Sequence, residues 1–550
     1  DLTNFDNAFD KGTTTKIDCS KVKATYLTSP MGNGFENMTD FVFPANLTNI
    51  STSKGVLSGC KKLTKITFPV AYCDISHSES FLTNSTFVNG LELPYTLNFT
   101  PMVSVDKQTG VEEIKQNEIL KGSHVVGNLN IKAATTNKCV VYVNKETTSL
   151  IIYPATVQGR FYLMGKGIDG DLSGLQSIQI GRSTNINDTD GFASNTSANI
   201  NLSLDFQSGN CTTKIPKNAF NGYSGNTINV VIYGNVTDSN GITLESGSFC
   251  NMPNMAKLPM TNSTSLKTIP ENCMNNLTSL TSATTGYVVD VEGCNDMPNL
   301  TTLRIESSCE IVNGFNNCPK LKNLSFMSDG KVKEIGGLNS NAITTFYIPN
   351  MALSVSGVNN CSALTTVVIG ASLTSFTGFN NCPKLNKFTV DSSNTTFKVV
   401  DNNLCQGNKL CRVPMSKSDI VVTNGTTEIM SNAIQIAFVN SISIPNGCIL
   451  ANDSIKCQSV GQIILHTSFN TETGKYNNLT MTDFSTLDNV QVGTIFTYGN
   501  GITDTTNANC LPIVKYCIEH NINYVDMNET NTNARGAIGI SGNAELDGDN

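Results

Sequence analysis

A short alternation of apolar and polar residues recurs five times between residues 300 and 390. Each copy follows the pattern L-x-x-L-x-L, with some positions filled by Ile, Phe or Val. The last apolar positions alternate with period two, which is the pattern of a β-strand with one buried face. The copies begin 21, 22, 21 and 21 residues apart, and we predict that they are neighbouring parallel strands of one sheet: 300–305, 321–326, 343–348, 364–369 and 385–390.

A strand this short cannot bury its apolar face alone, so the copies must stack. We therefore predict a β-rich solenoid of irregular repeats with a parallel sheet and a continuous core, capped at both ends. A further apolar trio, such as Leu373, Phe376 and Phe379, follows each strand at a spacing of three. This spacing favours a turn or a short irregular helix on the opposite side. Aspartate in place of Leu324 or Val367 should unfold the array locally, since it would bury an unpaired charge.

The recurring segments resemble a known family. NNCPKLKNLSF, NNCSALTTVVIG and KIPKNAFNG are similar to BspA-like leucine-rich repeats, and SNTTFKVVDNNLCQGNKLCRVP (393–414) resembles the longer, hairpin-containing repeat of that family. The repeats here are slightly shorter, and most carry Gly-Phe or Gly-Val where the family has Ala-Phe. The resemblance implies a surface protein associated with adhesion and without enzymatic activity.

Four parts of the chain follow from the repeat pattern and the resemblance. We expect an N-terminal cap at 1–45, the solenoid at 46–507, a closing helix at 508–525 and a tail at 526–550. The segment CLPIVKYCIEHNINYV resembles the family's capping helix, and its inner face would carry the following residues: Leu511, Val514, Cys517 and Ile518.

The tail is rich in Gly, Asn and Asp, which is typical of a linker. Its short apolar run places Ile538 and Ile540 on one face of a strand. Such a strand can add to an exposed sheet edge, so we expect the tail to be an assembly or docking segment. The alternative is that it folds back on its own closing helix.

Composition indicates the compartment. Charged residues are only 15% of the chain, against about 25% in a typical globular domain. Asn (69) and Ser plus Thr (112) supply the polarity instead, and 18 Cys occur without CxxC spacing. These features favour a secreted or cell-surface eukaryotic glycoprotein over a cytosolic Asn-rich protein. The candidate glycosylation sites are the N-x-S/T asparagines: Asn37, Asn46, Asn49, Asn84, Asn98, Asn187, Asn195, Asn201, Asn210, Asn235, Asn262, Asn276, Asn299, Asn323, Asn360, Asn394, Asn424, Asn452, Asn478 and Asn528.

Charge and hydropathy exclude two classes of partner. The 36 basic and 44 acidic residues give a net charge of −8 without any basic tract, which makes nucleic-acid binding unexpected. No stretch approaches the roughly 18 apolar residues of a membrane span. The opening segment DLTNFDNAFD is typical of a mature end left after processing.

Three cysteines occupy one repeat position, at residues 318, 361 and 382. We expect buried free thiols that behave as small hydrophobic residues, and a Cys361–Cys382 bridge between adjacent turns is the alternative. Cys405 and Cys411 flank the turn QGNKL in the hairpin-like repeat. This local closure is the favoured disulfide candidate.

Catalytic and metal-binding patterns are missing from the sequence. It contains no GxSxG, GxGxxG or P-loop motif and no HExxH, so we expect neither an enzyme nor a cofactor or metal. The segment 185–191 superficially resembles a calcium loop, but its Gly is one place late and the terminal Glu is absent. We expect a solvated turn there.

Two functions remain. The first is an extracellular or cell-surface glycoprotein that uses its solenoid to bind other proteins or a host surface. The second is a structural subunit of an extracellular filament or coat, which open solenoid ends would suit. The outward strand positions form a hydroxyl-rich surface around Tyr347, although a glycan on Asn323 would obstruct that face.

Overall fold

Over the residues that the structure describes, the chain is a parallel-sheet β-solenoid of about 18 turns with almost no helix, as the repeat pattern predicts. Contacts divide it into two compact units, Asp1–Leu300 and Thr301–Asn550. The structure is a computed structural model that describes the following residues: 6–100, 102–105, 108, 112–115, 117–136, 138–154, 159–205, 214–233, 241–466, 469–470, 475–476, 480–497, 512–526 and 537–538.

In the first unit, strands from successive turns pair in parallel along several ladders. The longest ladder runs in the spatial order Leu91–Leu93, Gly127–Ile131, Thr147–Ile152, Ser177–Ile180, Asn199–Asp205 and Ile228–Tyr233. A second comprises Tyr26–Leu27, Asn49–Ile50, Cys73–Ile75, Leu97–Phe99 and Ala134–Thr135. Two shorter ladders join Lys16–Asp18, Asp40–Val42 and Lys65–Thr67, and separately Asn117–Ile119, Cys139–Val143, Phe161–Gly170 and Thr184–Thr189.

The remaining strands of the first unit form pairs. Three are parallel: Thr86–Phe87 with His124–Val125, Lys214–Ile215 with Thr243–Leu244, and Thr268–Ile269 with Asp290–Val291. Met102–Val105 and Glu112–Lys115 pair antiparallel. The unit also contains the strand Ser282–Thr284 and three 3₁₀ turns, Asp6–Ala8, Ser78–Ser80 and Leu172–Gly174.

The second unit contains the five predicted strands at Thr302–Ile305, Asn323–Phe326, Thr345–Tyr347, Thr366–Ile369 and Lys387–Val390. The first two pair in parallel, and so do the last three. The prediction of one continuous sheet is wrong at a single step, because Asn323–Phe326 and Thr345–Tyr347 belong to different sheets.

The opposite side of these turns is a second ladder of two-residue strands. Ile311–Val312, Glu334–Ile335, Ser354–Val355 and Ser375–Phe376 follow one another in parallel. The expected turn or short helix at this place is therefore a strand. The spacing of three was misleading because only the middle residue of each apolar trio, such as Ile335 or Phe376, lies in the strand.

The end of the second unit combines a hairpin repeat with a longer sheet. Phe397–Val400, Asn403–Gln406 and Lys409–Arg412 are antiparallel, and Glu428–Ile429 and Ile449–Leu450 continue from the last of them in parallel. The final sheet runs Asp419–Val421, Phe438–Ile444, Ser459–Leu465, Gln491–Thr497 and Asn523–Asp526. Phe469–Asn470 pairs with Lys475–Tyr476, and Ser485–Leu487 is a 3₁₀ turn.

Element boundaries differ from the expected parts of the chain. Parallel pairing already begins at Lys16, inside the segment 1–45 that we expected to be a cap. The described part of the closing helix is Pro512–His520, which ends before the expected 525, and it buries Ile513, Val514 and Cys517. Leu511 lies outside the described residues, and Ile518 is half-buried. The calcium-like segment forms the strand Thr184–Thr189 rather than a turn.

The tail contains one described strand, Ala537–Ile538. It pairs antiparallel with Asn523–Asp526, through Tyr524 opposite Ile538 and Val525 opposite Ala537. The sheet edge that receives this strand therefore belongs to the same chain. Ile540 lies outside the described residues.

Candidate protein-binding groove

The break between Asn323–Phe326 and Thr345–Tyr347 opens the strand face of the second unit. Among the described residues of this unit, no ladder joins these two strands, although each pairs normally with its other neighbour. Near their starts the two segments remain connected by a backbone hydrogen bond from Ala342 N to Leu321 O, 3.0 Å long. On the opposite side Glu334–Ile335 and Ser354–Val355 pair without interruption. The turns therefore stay stacked while one face separates.

The lengths of the connecting segments explain the break. Seven residues, 327–333, connect this strand to the opposite ladder, whereas five do so at 306–310 and at 370–374. Nine residues, 336–344, then return to the strand face, one fewer than at 313–322. The shortened return lacks the Cys-x-x-Leu turn. Asn341 is buried there instead. Its Nδ2 donates a hydrogen bond to Leu338 O, and its Oδ1 accepts one from the Ile343 N–H.

A groove of about 740 Å³ lies at this break, which we call the strand-face groove. Its apolar residues are Leu324, Phe326, Met327, Tyr347 and Met351, and its polar residues include Ser325, Thr345, Thr389 and Asp391.

Two large side chains of the groove face solvent, because Tyr347 is 60% exposed and Met351 is 55% exposed. The rings of Phe326 and Phe346 contact edge to face across the break, with centroids 6.3 Å apart. The groove thus combines an aromatic floor, exposed apolar side chains and two strands that do not pair with each other.

Sequence reasoning identified part of this site. Tyr347 was expected to point outward, and it does. Leu324 was expected in the core, but it is only half-buried because the neighbouring turn is displaced. Met327 was expected on the same outward face, whereas Met351 was not recognised as a site residue. The unequal spacing of 22 residues between the second and third copies was the available signal.

The predicted glycosylation sites fall into groups by exposure. Asn210, Asn235, Asn478 and Asn528 lie outside the described residues. Asn37, Asn49, Asn187, Asn299 and Asn394 are half-buried, and the following are exposed: Asn46, Asn84, Asn195, Asn201, Asn262, Asn276, Asn323, Asn360, Asn424 and Asn452.

Several sequon asparagines make structural hydrogen bonds that conflict with modification, and Asn98 and Asn394 are two of them. Asn98 is 4% exposed, and its Nδ2 donates to Asp74 Oδ1 at 2.7 Å. This position leaves no room for a glycan. The Nδ2 of Asn394 donates to Gly370 O at 2.8 Å and to Leu373 O at 3.2 Å, so a glycan there would displace the hydrogen bonds that hold this turn.

The favoured disulfide does not form in the structure, because Cys405 and Cys411 are free, buried thiols. Cys405 lies opposite Leu410, and the register shift beside it leaves Cys411 without a directly opposed residue. The Sγ of Cys411 instead contacts Met430 Sδ at 3.3 Å. Hairpin closure therefore did not place the two sulfur atoms face to face.

Within the described residues, no group of three or more His, Cys, Asp or Glu side chains is arranged to hold a metal ion. None of the described helices has the length and apolar character needed to cross a bilayer.

The strand ladders, with their L-x-x-L-x-L cores, decide the fold class. The fold is a leucine-rich repeat solenoid. No protein-family model and no curated protein matches the sequence.

Several solved structures are similar to this leucine-rich repeat solenoid. A leucine-rich repeat protein from Eubacterium ventriosum has 13% identity and a TM-score of 0.28, over 40% of this chain and 75% of that one. A leucine-rich cell surface protein from Faecalibacterium prausnitzii has 15% identity and a TM-score of 0.23, over 42% and 83%. The pneumococcal vaccine antigen PcpA has 15% identity and a TM-score of 0.30, over 55% and 73%. The neighbours include leucine-rich repeat proteins, the class that the sequence resembles.

Proposed function

We propose that this chain is an extracellular or cell-surface glycoprotein that binds another protein through the strand-face groove. The observation that supports the proposal most directly is the break in an otherwise regular ladder, which coincides with exposed Tyr347 and Met351. Sites where a regular fold departs from its own pattern are frequently functional. No catalytic constellation accompanies the groove, so the proposed activity is binding.

The chemistry of the groove suits an extended protein segment. Strands that do not pair with each other can accept backbone hydrogen bonds from such a segment, while alternate side chains enter apolar pockets. Tyr residues contribute strongly to protein interfaces because they bury a large area at a small entropy cost. Met351 adds an adaptable apolar contact.

The proposed location follows from the composition and from the surface of the fold. A chain with 15% charged residues has few ionic groups to keep it soluble. Glycans on the exposed sequon asparagines would supply that solubility, and N-glycosylation belongs to the secretory route. We therefore propose a eukaryotic secreted or surface protein, and a glycan on Asn323 would regulate access to the groove beside it.

The binding proposal is tested with the purified full chain and an array of extracellular proteins, followed by affinity measurement on each hit. Tyr347→Ala should raise the dissociation constant at least about tenfold, because the variant loses a large side chain from the interface. The matched control is Tyr287→Ala, a tyrosine of similar exposure in the first unit. Equal affinity of the Tyr347 variant and the control would contradict the groove as the binding site.

Intact glycopeptide mass spectrometry of native protein tests the compartment. We expect glycans on most exposed sequons and none on Asn98. Unmodified asparagine at nearly all sites would remove the extracellular assignment.

The filament alternative has weaker support, because the described tail strand already covers the edge of the last parallel strand. Negative-stain images would show micrometre filaments if that alternative were correct.

A further inference from the structure

Two buried thiols lie side by side in adjacent turns of the second unit. The backbone N–H of Asn360 donates to Asn380 O at 2.8 Å, and Asn381 Nδ2 donates to Asn360 Oδ1 at 2.9 Å. The following residues, Cys361 and Cys382, are both fully buried. The Cys361 Sγ donates to Asn359 O at 3.3 Å, and the Cys382 Sγ donates to the equivalent Asn380 O at 3.5 Å. Neighbouring strands are about 4.8 Å apart, a step that falls within the Cα separation of a disulfide.

A buried guanidinium accompanies this pair. Arg412 is 2% exposed, and its Nη2 donates to Gly378 O and to Asn380 Oδ1, each at 2.9 Å. Its Nε and Nη1 atoms have no hydrogen-bond partner. Burial lowers the pKa of Arg412 to about 10, while Cys382 and Cys411 act in the opposite direction as negative groups. A buried cation requires a counter-charge, and the neighbouring sulfur atoms are the groups placed to supply it.

The two thiols are not equivalent. The neighbouring Cys361, with a smaller contribution from the charge of Arg412, lowers the pKa of Cys382. The neighbouring Cys382, together with burial, raises the pKa of Cys361. Cys382 is therefore the sulfur that ionises first, and a thiolate is the form that attacks disulfides.

We propose that Cys361 and Cys382 form a reversible thiol–disulfide site, and that Arg412 is a positioning residue that stabilises its reduced form. The oxidant is a small disulfide such as oxidised glutathione, which reaches the pair when the segment carrying Arg412 opens. The Cys382 thiolate attacks one sulfur of the oxidant, forms a mixed disulfide and expels one glutathione thiolate, which takes the proton of Cys361. The Cys361 thiolate then attacks Cys382 Sγ and releases the second glutathione. Two protein thiols lose two electrons, and one small disulfide is reduced to two thiols.

Arg412 determines how stable the product is. Oxidation removes the ionisable thiol of Cys382, so the buried guanidinium loses the thiolate that could serve as its counter-charge. The reduced form is thereby favoured, which makes the disulfide easier to reduce than a structural one. This site is independent of the proposed binding function.

The chain offers a matched control pair in its first unit. Cys250 and Cys273 are also buried in adjacent turns, where the Phe249 N–H donates to Cys273 O at 2.8 Å. Burial raises the pKa of Cys250, and it raises that of Cys273 to about 12. No guanidinium is among the groups that shift either thiol. Changing Arg412 should therefore leave this pair unaffected.

The test equilibrates the full chain in glutathione buffers of graded redox ratio and quantifies the Cys361–Cys382 disulfide by differential alkylation and mass spectrometry. Arg412→Met should lower the ratio of oxidised to reduced glutathione at which half of the Cys361–Cys382 pairs are oxidised. The expected decrease is about tenfold, the equivalent of one pKa unit of thiolate stabilisation. Arg412→Lys, which keeps the charge, should remain close to the parent chain. Arg412→Gln serves as a second uncharged variant if the Met variant does not fold, and the same shift is expected.

Two results would overturn the proposal. One is the absence of a Cys361–Cys382 disulfide at every redox ratio. The other is an unchanged midpoint in the uncharged Arg412 variants, or an equal shift at Cys250–Cys273.

Discussion

At the scale of single residues, adjacent turns of the second unit touch backbone to backbone at a column of glycines. A Cβ added to Gly337 would clash with Gly314 O, one added to Gly357 with Gly337 O, and one added to Gly378 with Gly357 O. The residues that follow these glycines, among them Val358 with φ 62° and Phe379 with φ 64°, adopt the left-handed conformation while fully buried. This packing explains why the short repeats carry Gly-Phe or Gly-Val where related repeats have Ala-Phe.

Gly357→Ala should therefore destabilise the chain by about 1–3 kcal/mol, the usual cost of overpacking a well-packed interior. The backbone oxygen that the new Cβ meets cannot rotate away. Gly12→Ala is the control, since its added Cβ would meet only the Asp10 side chain, at 3.4 Å. Urea denaturation of both variants measures the difference, and equal midpoints would show that the glycine column is not tightly packed.

Asparagine has a second role that its abundance alone did not reveal. Asn339 Nδ2 donates to Asn316 Oδ1 at 2.8 Å. The Asn359 N–H donates to Asn339 Oδ1 at 2.7 Å, and the Asn380 N–H donates to Asn359 Oδ1 at 2.8 Å. The composition was interpreted as 69 asparagines that supply surface polarity, 20 of them as glycosylation sites. Because a ladder of this kind depends on which residues stack across turns, it becomes visible only once the register is known.

Buried thiols make stability depend on pH in the alkaline range. Burial raises the pKa of Cys273, Cys411 and Cys517 to about 12 from an ordinary value of 9.0. Below pH 9 both states are protonated and the stabilisation is complete. Above pH 9 the unfolded thiols ionise and the folded ones do not, so stability falls by about 1.4 kcal/mol per pH unit for each thiol until about pH 12.

Urea midpoints measured between pH 8 and pH 10.5 in the presence of reductant should therefore stay level up to about pH 9 and decrease above it. Cys273→Ala should reduce the slope. A midpoint that stays constant over this range would mean that these thiols are already exposed in the folded chain.

At the scale of elements, the sequence predicted the strands better than their pairing. The alternation of apolar residues located the five predicted strands between residues 300 and 390 within two residues at their starts. It did not predict the break, because side-chain period determines which face is buried and not whether two edges meet. The two extra residues in 327–333 and the missing residue in 336–344 nearly cancel in the repeat length, so they appear as a spacing of 22 instead of 21.

The break separates two substitutions that sequence reasoning treated alike. Val367 is fully buried between paired strands, whereas Leu324 is half-buried at the groove. Val367→Asp should cost more than about 3 kcal/mol, because it buries an unpaired charge. Leu324→Asp should cost less than about 1.5 kcal/mol, since much of the side chain already meets water, and should abolish groove binding. Thermal or urea unfolding of the two variants measures this difference in the free energy of unfolding. Similar losses of stability in both variants would contradict an open groove at Leu324.

At the scale of the whole molecule, the chain has no uncovered parallel edge at its described C-terminal end. Asn523–Asp526 is the last parallel strand, paired with Gln491–Thr497 on one side and with Ala537–Ile538 of the tail on the other. The sequence predicted a strand in the tail and an edge to receive it. It could not show which chain contributes that edge, because an apolar run in a linker-like segment pairs equally well with a strand of its own chain or of a partner.

Removal of residues 527–550 should therefore promote self-association. The deletion exposes the backbone N–H and C=O groups of Tyr524 and Val525 along the final strand, and such an edge is a template for pairing with a second chain. Deletion of 539–550 alone is the matched control, because it retains Ala537 and Ile538. Sedimentation velocity over a range of concentrations should show dimers or larger species for the first truncation and unchanged behaviour for the second. If both truncated chains sediment like the full chain, the tail strand does not protect this edge, and the self-association argument fails with it.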